Sequence, residues 1–397
     1  MDDFIEELIQ TKMKIAESED KSLAKSKQLK EITEKLTANS SEIEEIQTEN
    51  ESLLQTIAKL IEEKNTLRTQ FEEKLEIIKK NSTETTDPEE EDLRSLNINS
   101  EIRTDEDKIK TWTNILANWE KVKKNKRIKL LSKKGIPSKL RGEVWGKVIG
   151  NNLYITPQLY GILQSKFAQQ ERDESTLNIP ADIRRNLSSF QSAQREKPLF
   201  QTLQEILEAF IAYRPDTGYV QGMAYLASIL VIYLDDYKSF ECLANIIFKS
   251  EILRTFYSFD LPGMQSYYRV FEHYMKKYVP TVYDHFDEIG ITPDLYLLEW
   301  VYTLFSRCFS VEIVSRVWDS YLFEGDAYIF KVGIGILISL EKELQGDMNG
   351  IISIILNTAG YFDDASKLFR YVDRLNISLF KINKLRDTLR VSRLSIQ

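Results

Sequence analysis

The first 80 residues carry a heptad repeat, which commits this part of the chain to a long helix rather than to a compact core. No proline precedes Pro88 and no glycine precedes Gly135, so the usual helix breakers are absent from it. Apolar residues recur at steps of three, four or their sum. They are Leu29, Ile32, Leu36, Ile43, Ile46, Leu53, Ile57, Leu60, Leu67, Phe71 and Ile78. This pattern predicts a coiled coil over residues 1–80.

Polar residues interrupt the seam of this repeat at Asn39, Asn50, Lys64 and Lys74. A buried Asn at such a position costs stability but selects one register and a two-stranded state. We therefore expect a parallel homodimer. A solvated single helix and an antiparallel pair are alternatives that interrupted heptads leave open.

Composition changes twice beyond the repeat. Residues 81–107 are rich in Ser, Thr, Asp and Glu, with four acidic residues directly after Pro88, which predicts a flexible acidic linker. From there on aromatic and branched aliphatic residues predominate. We therefore expect a globular domain over residues 108–360 and a helical tail over residues 361–397.

Charge and hydropathy limit the classes of partner. The net charge of −8 argues against general nucleic-acid binding, which needs a basic surface to neutralise phosphates. The longest apolar runs, 223–234 and 332–340, are too short to cross a bilayer and predict core helices. We expect no secretory leader, because the sequence opens with the acidic Met1-Asp2-Asp3, and no lipid anchor, because no prenylation or myristoylation motif is present. We expect a cytoplasmic protein that touches membranes only through a partner.

Cysteine and histidine usage offers no catalytic or metal-binding pattern. Cys242 and Cys308 both lie in apolar segments, which is typical of packing in a reducing compartment. His273 and His285 lack the spacing of a zinc site or a hydrolytic triad. The segment from Asp260 to Gly263 predicts a turn before the helix that carries His273.

A short loop over residues 213–223 separates two strongly apolar segments. Apolar residues at steps of three and four over 200–211 predict a helix with one buried face, which Pro215 and Gly218 end. The apolar segment beyond the loop predicts a buried helix. Gln221 therefore lies at a helix junction, where its amide can donate and accept hydrogen bonds at once, and Gly222 would let another molecule's backbone approach. A capping or solvated Gln is the alternative.

Three motifs follow one another along the globular region, and a fourth lies further on. They are R-x-x-x-W at Arg141 and Trp145, I-x-x-D-x-x-R from Ile179 to Arg185, Y-x-Q-G-M from Tyr219 to Met223, and R-x-W-D from Arg316 to Asp319. In order and separation they resemble the motifs of the TBC domain of Rab GTPase-activating proteins. Within the family, the segments 134–137, 214–216 and 291–294 most resemble the TBC-twelve and TBC-fourteen type members. The resemblance implies an all-α, multi-helix domain, here preceded by a long coiled-coil helix.

The resemblance also implies that Arg185 is an arginine finger and Gln221 a glutamine finger, supplied in trans to the nucleotide site of a Rab. A guanidinium keeps its charge and presents five donors in a planar fork, which suits it to phosphate oxygens. Asp182 would orient Arg185 or cap the local turn. Arg184 is assigned to the surface or to partner binding.

Other motif residues are expected to support the fingers or to contact the Rab. These are Asp216, Tyr219, Gly222 and Met223. The family often continues the finger motif with Thr, an aromatic residue and Pro, whereas this chain has Asn186, Leu187 and Ser188. This departure leaves the finger intact, and Asn can still bond locally.

The remaining motif residues are expected to be structural. Trp145 and Trp318 would pack in the core, Arg141 would pair within the fold, and Asp319 would accept hydrogen bonds. No metal ligand is expected among any of the motif residues.

The implied function is GTPase activation in vesicle trafficking and intracellular protein transport. The chain would accelerate GTP hydrolysis on a partner rather than act as a stand-alone hydrolase, and recruitment to endomembranes would be peripheral. No cofactor of its own is expected, because the partner GTPase carries GTP and Mg²⁺. The alternative is a non-catalytic adaptor that binds a Rab through the TBC fold and uses the coiled coil as a scaffold.

Overall fold

The computed structural model describes residues 104–168, 176–189, 196–362 and 365–394, together with isolated helical positions at 25, 30, 33, 35, 48, 55, 59, 62 and 66. The chain divides into two compact units, Met1–Thr86 and Asp87–Gln397. The predicted coiled-coil seam, the homodimer and most of the acidic linker lie outside the described residues. The globular domain lies in the second unit.

Every regular element in the described part of this unit is helical, which confirms the all-α prediction. One-turn 3₁₀ segments lie at Thr176–Asn178, Pro293–Leu295 and Thr358–Tyr361. The α-helices are α1 (Asp105–Ala117), α2 (Trp119–Val122), α3 (Lys126–Lys133), α4 (Ser138–Ile149), α5 (Pro157–Ala168), α6 (Ile179–Ser189), α7 (Glu196–Tyr213), α8 (Met223–Tyr233), α9 (Asp236–Lys249), α10 (Glu251–Tyr257), α11 (Leu261–Tyr278), α12 (Pro280–Ile289), α13 (Leu297–Thr303), α14 (Val311–Glu324), α15 (Ala327–Ser339), α16 (Met348–Leu356), α17 (Ala365–Val372) and α18 (Leu379–Leu394).

Capping residues set two helix starts that differ from the sequence-based expectation. Thr104 and Asp107 form a capping box, so residues 105–107 at the end of the expected linker belong to α1. The turn expected from Asp260 to Gly263 is instead the first turn of α11. Asp260 is its N-cap and accepts a hydrogen bond from the Gly263 amide, and Pro262 fits a first helical turn.

The two longest apolar runs form the buried helices α8 and α15. In α15 every residue from Ala327 to Leu337 is buried. Gly333 and Gly335 allow this, because a Cβ there would lie 2.8 Å from the Phe271 ring and 2.6 Å from the Val372 side chain. Among the residues described, no helix combines the length and apolar character needed to cross a bilayer.

A fully buried carboxylate, Asp319 on α14, joins α14 to α4. Its oxygens accept hydrogen bonds from the Arg141 guanidinium at 3.1–3.2 Å, the Trp145 indole at 2.9 Å and the Ile136 amide at 2.9 Å. Arg141 also donates to the Tyr233 hydroxyl at the end of α8. Burial raises the pKa of the Asp319 carboxyl, and the Arg141 charge acts in the opposite direction. The first and fourth motifs thus meet in the interior of the domain.

We predict that Asp319→Asn lowers the free energy of unfolding by about 3–5 kcal/mol, because Arg141 would stay buried without its counter-charge. Urea denaturation followed by circular dichroism measures this change. Asp284→Asn, an exposed carboxylate on α12, is the matched control and should unfold like wild type. Equal stability of the two variants would show that the buried ion pair does not join these helices.

Candidate functional site

Helix α6 presents one apolar face inward and its arginines outward. Ile179, Ile183 and Leu187 follow one another at four-residue steps and are buried. Arg184 and Arg185 lie on the exposed side, and the Arg185 side chain is 54% exposed. Arg184 lies over the Phe200 ring with 5.5 Å between guanidinium carbon and ring centroid. The two neighbouring arginines therefore share a helix but have different surroundings.

The buried carboxylate of Asp182 connects α6 to the loop that precedes α8. One of its oxygens accepts a hydrogen bond from Arg185 Nη1 at 3.1 Å, and the other accepts from the Tyr219 hydroxyl at 2.9 Å. Burial first, and then the Asp182 charge, raise the pKa of Tyr219, so its hydroxyl keeps its proton and donates. A single side chain thus fixes the position of the second motif relative to the third.

The loop between α7 and α8 holds Gln221 at the surface between buried neighbours. Tyr219 and Val220 on one side and Met223 on the other are buried, whereas Gln221 is exposed. The Arg214 guanidinium pairs with Asp216 at 2.6–2.8 Å, and this hydrogen bond holds the pKa of the exposed Asp216 at about 2. The Tyr219 end of the loop is therefore held against α6 through Asp182, while the Arg214–Asp216 pair is a local contact at the other end.

Gly222 is required by contacts within the chain itself. Its φ of 109° lies in the left-handed region, and a Cβ there would come within 3.1 Å of the Tyr302 Cβ on α13. The neighbour that approaches this backbone is thus Tyr302, not a second molecule as the sequence suggested. Because Tyr219, Gly222 and Met223 are all buried, their positions permit support of the loop rather than direct contact with a partner.

Asn186 is a structural contributor that sequence reasoning underestimated. It is fully buried, and its amide nitrogen donates to the Ala224 carbonyl at 3.0 Å and to Ser228 Oγ at 2.6 Å, both on α8. Only its departure from the family's Thr drew attention to it, and a local bond was the expectation. The observed bonds instead join α6 to α8, directly after Arg185.

The structure contains a further ion pair, between Arg307 and Glu299, that the sequence analysis did not identify. Arg307 Nη1 lies 2.9 Å from Glu299 Oε1. Burial raises the pKa of the half-buried Tyr225, while the charges of Arg307 and Arg185 act on it in the opposite direction. Both guanidinium groups therefore lie near the Tyr225 phenol. Within the described ranges, no group of three or more His, Cys, Asp or Glu side chains could hold a metal ion.

The structure brings Arg185, Asp182, Tyr219 and Gln221 to one region and leaves the structural motif residues elsewhere. Trp145 and Trp318 are fully buried with ring centroids 5.6 Å apart, around the Asp319 carboxylate. The site therefore offers an exposed cation on α6 and an exposed primary amide on the loop that precedes α8. Such a pair can act on an anionic substrate presented by another molecule.

Comparison with known proteins gives consistent results. The sequence pattern of the Rab-GTPase-TBC domain matches residues 138–345. TBC1 domain family member 12 of Xenopus tropicalis is 34% identical over 246 residues, which cover 57% of this chain and 36% of that protein. TBC1 domain family member 14 of Homo sapiens is 31% identical over 312 residues, covering 72% of this chain and 44% of that protein. The match thus spans less than half the length of each relative.

A solved structure supports the same fold. The crystal structure of the Chlamydomonas flagellar RabGAP TBC domain superposes with a TM-score of 0.59 at 21% identity, covering 72% of this chain and 96% of that one. At this identity the similarity establishes the arrangement of the helices and nothing about activity.

We predict that Asn186→Ala lowers the free energy of unfolding by about 1–3 kcal/mol, because two buried hydrogen bonds between α6 and α8 are lost. Thermal or urea denaturation measures the change. Asn357→Ala is the matched control: Asn357 is exposed, and its amide bonds only to the Ser353 carbonyl one turn away. If both variants are as stable as wild type, Asn186 does not hold the two helices together.

Proposed function

This chain belongs to the Rab-GTPase-TBC domain family, and from that premise we propose that it is a GTPase-activating protein for a Rab-family small GTPase. The observation that carries the proposal is the Asp182 carboxylate, which pairs with Arg185 and accepts from Tyr219, two residues before Gln221. This contact supports the view that both proposed fingers face one partner.

Arg185 is proposed to stabilise charge on the phosphoryl group during its transfer. Hydrolysis of GTP by a small GTPase is slow partly because charge on the transferring group is poorly compensated. A guanidinium that is 54% exposed yet oriented by a buried carboxylate can reach a partner's pocket without losing its geometry. Asp182 would thus act as a positioning residue that restricts where the guanidinium can go.

Gln221 is proposed to align the attacking water. Its amide can accept from the water and donate to an oxygen at the same time. By resemblance to the family, it would substitute for the GTPase's own glutamine. The exposed position of Gln221, between a buried Val220 and a left-handed Gly222, supports a fixed direction of approach.

GTP and Mg²⁺ would belong to the partner, which would also bring this protein to an endomembrane surface during vesicle trafficking. Dimerisation through the amino-terminal heptads is proposed on the sequence alone. The chemistry proposed for Arg185 and Gln221 is common to any GTP-bound Rab.

We predict that wild type accelerates phosphate release from at least one GTP-loaded Rab in a purified panel. Arg185→Ala should reduce the stimulated rate by about 10³-fold or more, since an arginine finger is worth that much. Gln221→Ala should also lower the stimulated rate strongly. The rate of the double variant should be close to that of the less active single variant, because the two groups act as a unit.

Arg184→Ala is the matched control, since it removes the adjacent exposed arginine from the same helix; its stimulated kcat should stay near the wild-type value even if the KM for the GTPase rises. Stimulation that is unchanged in both Arg185→Ala and Gln221→Ala would contradict the catalytic assignment. Binding of a GTP-loaded Rab without any acceleration by wild type would favour the adaptor function instead.

We also predict that Tyr219→Phe lowers the stimulated kcat by about tenfold while the KM for the GTPase stays near its wild-type value. Loss of the hydroxyl releases the Gln221 loop from Asp182, and small misplacements of a positioned group are costly. Stopped-flow measurement of phosphate release separates kcat from KM. Tyr154→Phe, at an exposed tyrosine, is the control. A rise in KM alone would indicate that Tyr219 serves binding rather than positioning.

A further inference from the structure

Phe259 adopts a backbone conformation that a bulky residue rarely takes. Its φ is 52°, in the left-handed region, yet its side chain is 60% exposed. Such strain persists only where surrounding contacts over-determine the backbone, and it concentrates at functional sites. Asparagine or glycine would serve this turn at a lower cost. The conformation of this turn therefore does not by itself select a phenylalanine.

The turn between α10 and α11 is fixed from both sides. The Phe259 amide donates to the Phe256 carbonyl at 3.2 Å, and the Asp260 amide donates to the Thr255 carbonyl at 3.1 Å. Asp260 then caps α11 through the Gly263 amide. The backbone thus presents the Phe259 side chain in one direction, with Leu261, 65% exposed, two residues further on.

This turn lies next to the Gln221 loop, with one buried side chain between them. The Phe259 ring meets the Tyr302 ring edge-on at 6.3 Å between centroids. Tyr302 also packs against Gly222, where a Cβ would lie 3.1 Å from the Tyr302 Cβ. Its carbonyl accepts from Tyr257 on α10 at 2.8 Å. The Phe259 turn and the Gln221 loop therefore both pack against Tyr302.

We propose that Phe259 and Leu261, here called the Phe259 patch, form an apolar anchor for the GTPase whose nucleotide faces Arg185 and Gln221. This inference rests on the proposed function. The patch would take an exposed apolar or aromatic surface of the GTPase beside its nucleotide pocket. A few large side chains supply most of the affinity at a protein–protein interface, and aromatic residues are enriched there. A second copy of this chain on the same patch would exclude the GTPase.

The test uses Phe259→Asn in the full chain with a GTPase that wild type activates. Asn tolerates the left-handed region, so the variant should unfold at or above the wild-type temperature. It should raise the KM for the GTP-loaded GTPase about tenfold and leave kcat within about twofold, the size expected for loss of one interface anchor. Leu261→Ser, which alters no left-handed residue, should raise KM in the same direction.

Tyr154→Asn is the matched control. Tyr154 is also an exposed aromatic residue with a left-handed φ, of 53°, and is 85% exposed. The neighbouring Asn152 and Leu153 amides bond to Asn245 on α9 rather than to α13. This variant should show the same change in stability as Phe259→Asn and an unchanged KM.

The outcomes separate this inference from the proposed function. A wild-type KM in Phe259→Asn, with wild type active, overturns the inference alone. A lower unfolding temperature with unchanged KM assigns Phe259 to packing and also overturns it. Self-association that is lost in Phe259→Asn without a change in KM assigns the patch to a second copy. If wild type accelerates no GTPase, the proposed function and the inference both fail.

Discussion

The buried carboxylate of Asp182 is the contact on which the geometry of this site depends. A charge removed from water is tolerated only when hydrogen bonds and an opposite charge replace its hydration. Asp182 obtains these from a buried donor, Tyr219, and from a half-exposed one, Arg185. Because the two donors belong to different motifs, satisfying one carboxylate also fixes the position of α6 relative to the Gln221 loop.

The Arg141–Asp319 pair in the interior of the domain contrasts with the Arg185–Asp182 pair. Arg141 is only 9% exposed and its partner Asp319 is fully buried, so this pair joins helices and cannot reach another molecule. Arg185 is 54% exposed while Asp182 is almost fully buried. The same pair of residue types thus serves packing in one place and presents a guanidinium to solvent in the other. Exposure of the arginine, not the presence of an ion pair, distinguishes the two.

Sequence patterns predicted the helices on either side of the Gln221 loop, because helices depend on local spacing. The apolar periodicity before the loop predicted α7, the apolar run after it predicted α8, and Arg185 and Gln221 lie on the surface where a finger would have to be.

The contacts that hold these helices and the loop in place were not predictable in the same way. Asn186 bonds to residues 38 and 42 positions away, and Gly222 needs its missing Cβ because of Tyr302, 80 residues later. The strained Phe259 gave no local signal either, since its neighbours are typical of an ordinary turn. Long-range packing decides these features, and it leaves no spacing rule within a single sequence.

The central claim is that Arg185 and Gln221 act together on the nucleotide of a Rab. Its most direct test is a crystal structure of this protein bound to a Rab that it activates, with GDP, Mg²⁺ and a phosphoryl transition-state mimic such as aluminium fluoride. We expect the Arg185 guanidinium and the Gln221 amide both to lie within hydrogen-bond distance of the mimic or its attacking water, about 3 Å, with Asp182 still bonded to Tyr219. A complex in which either side chain points away from the nucleotide, or in which the Rab docks on another face of the domain, would contradict the claim.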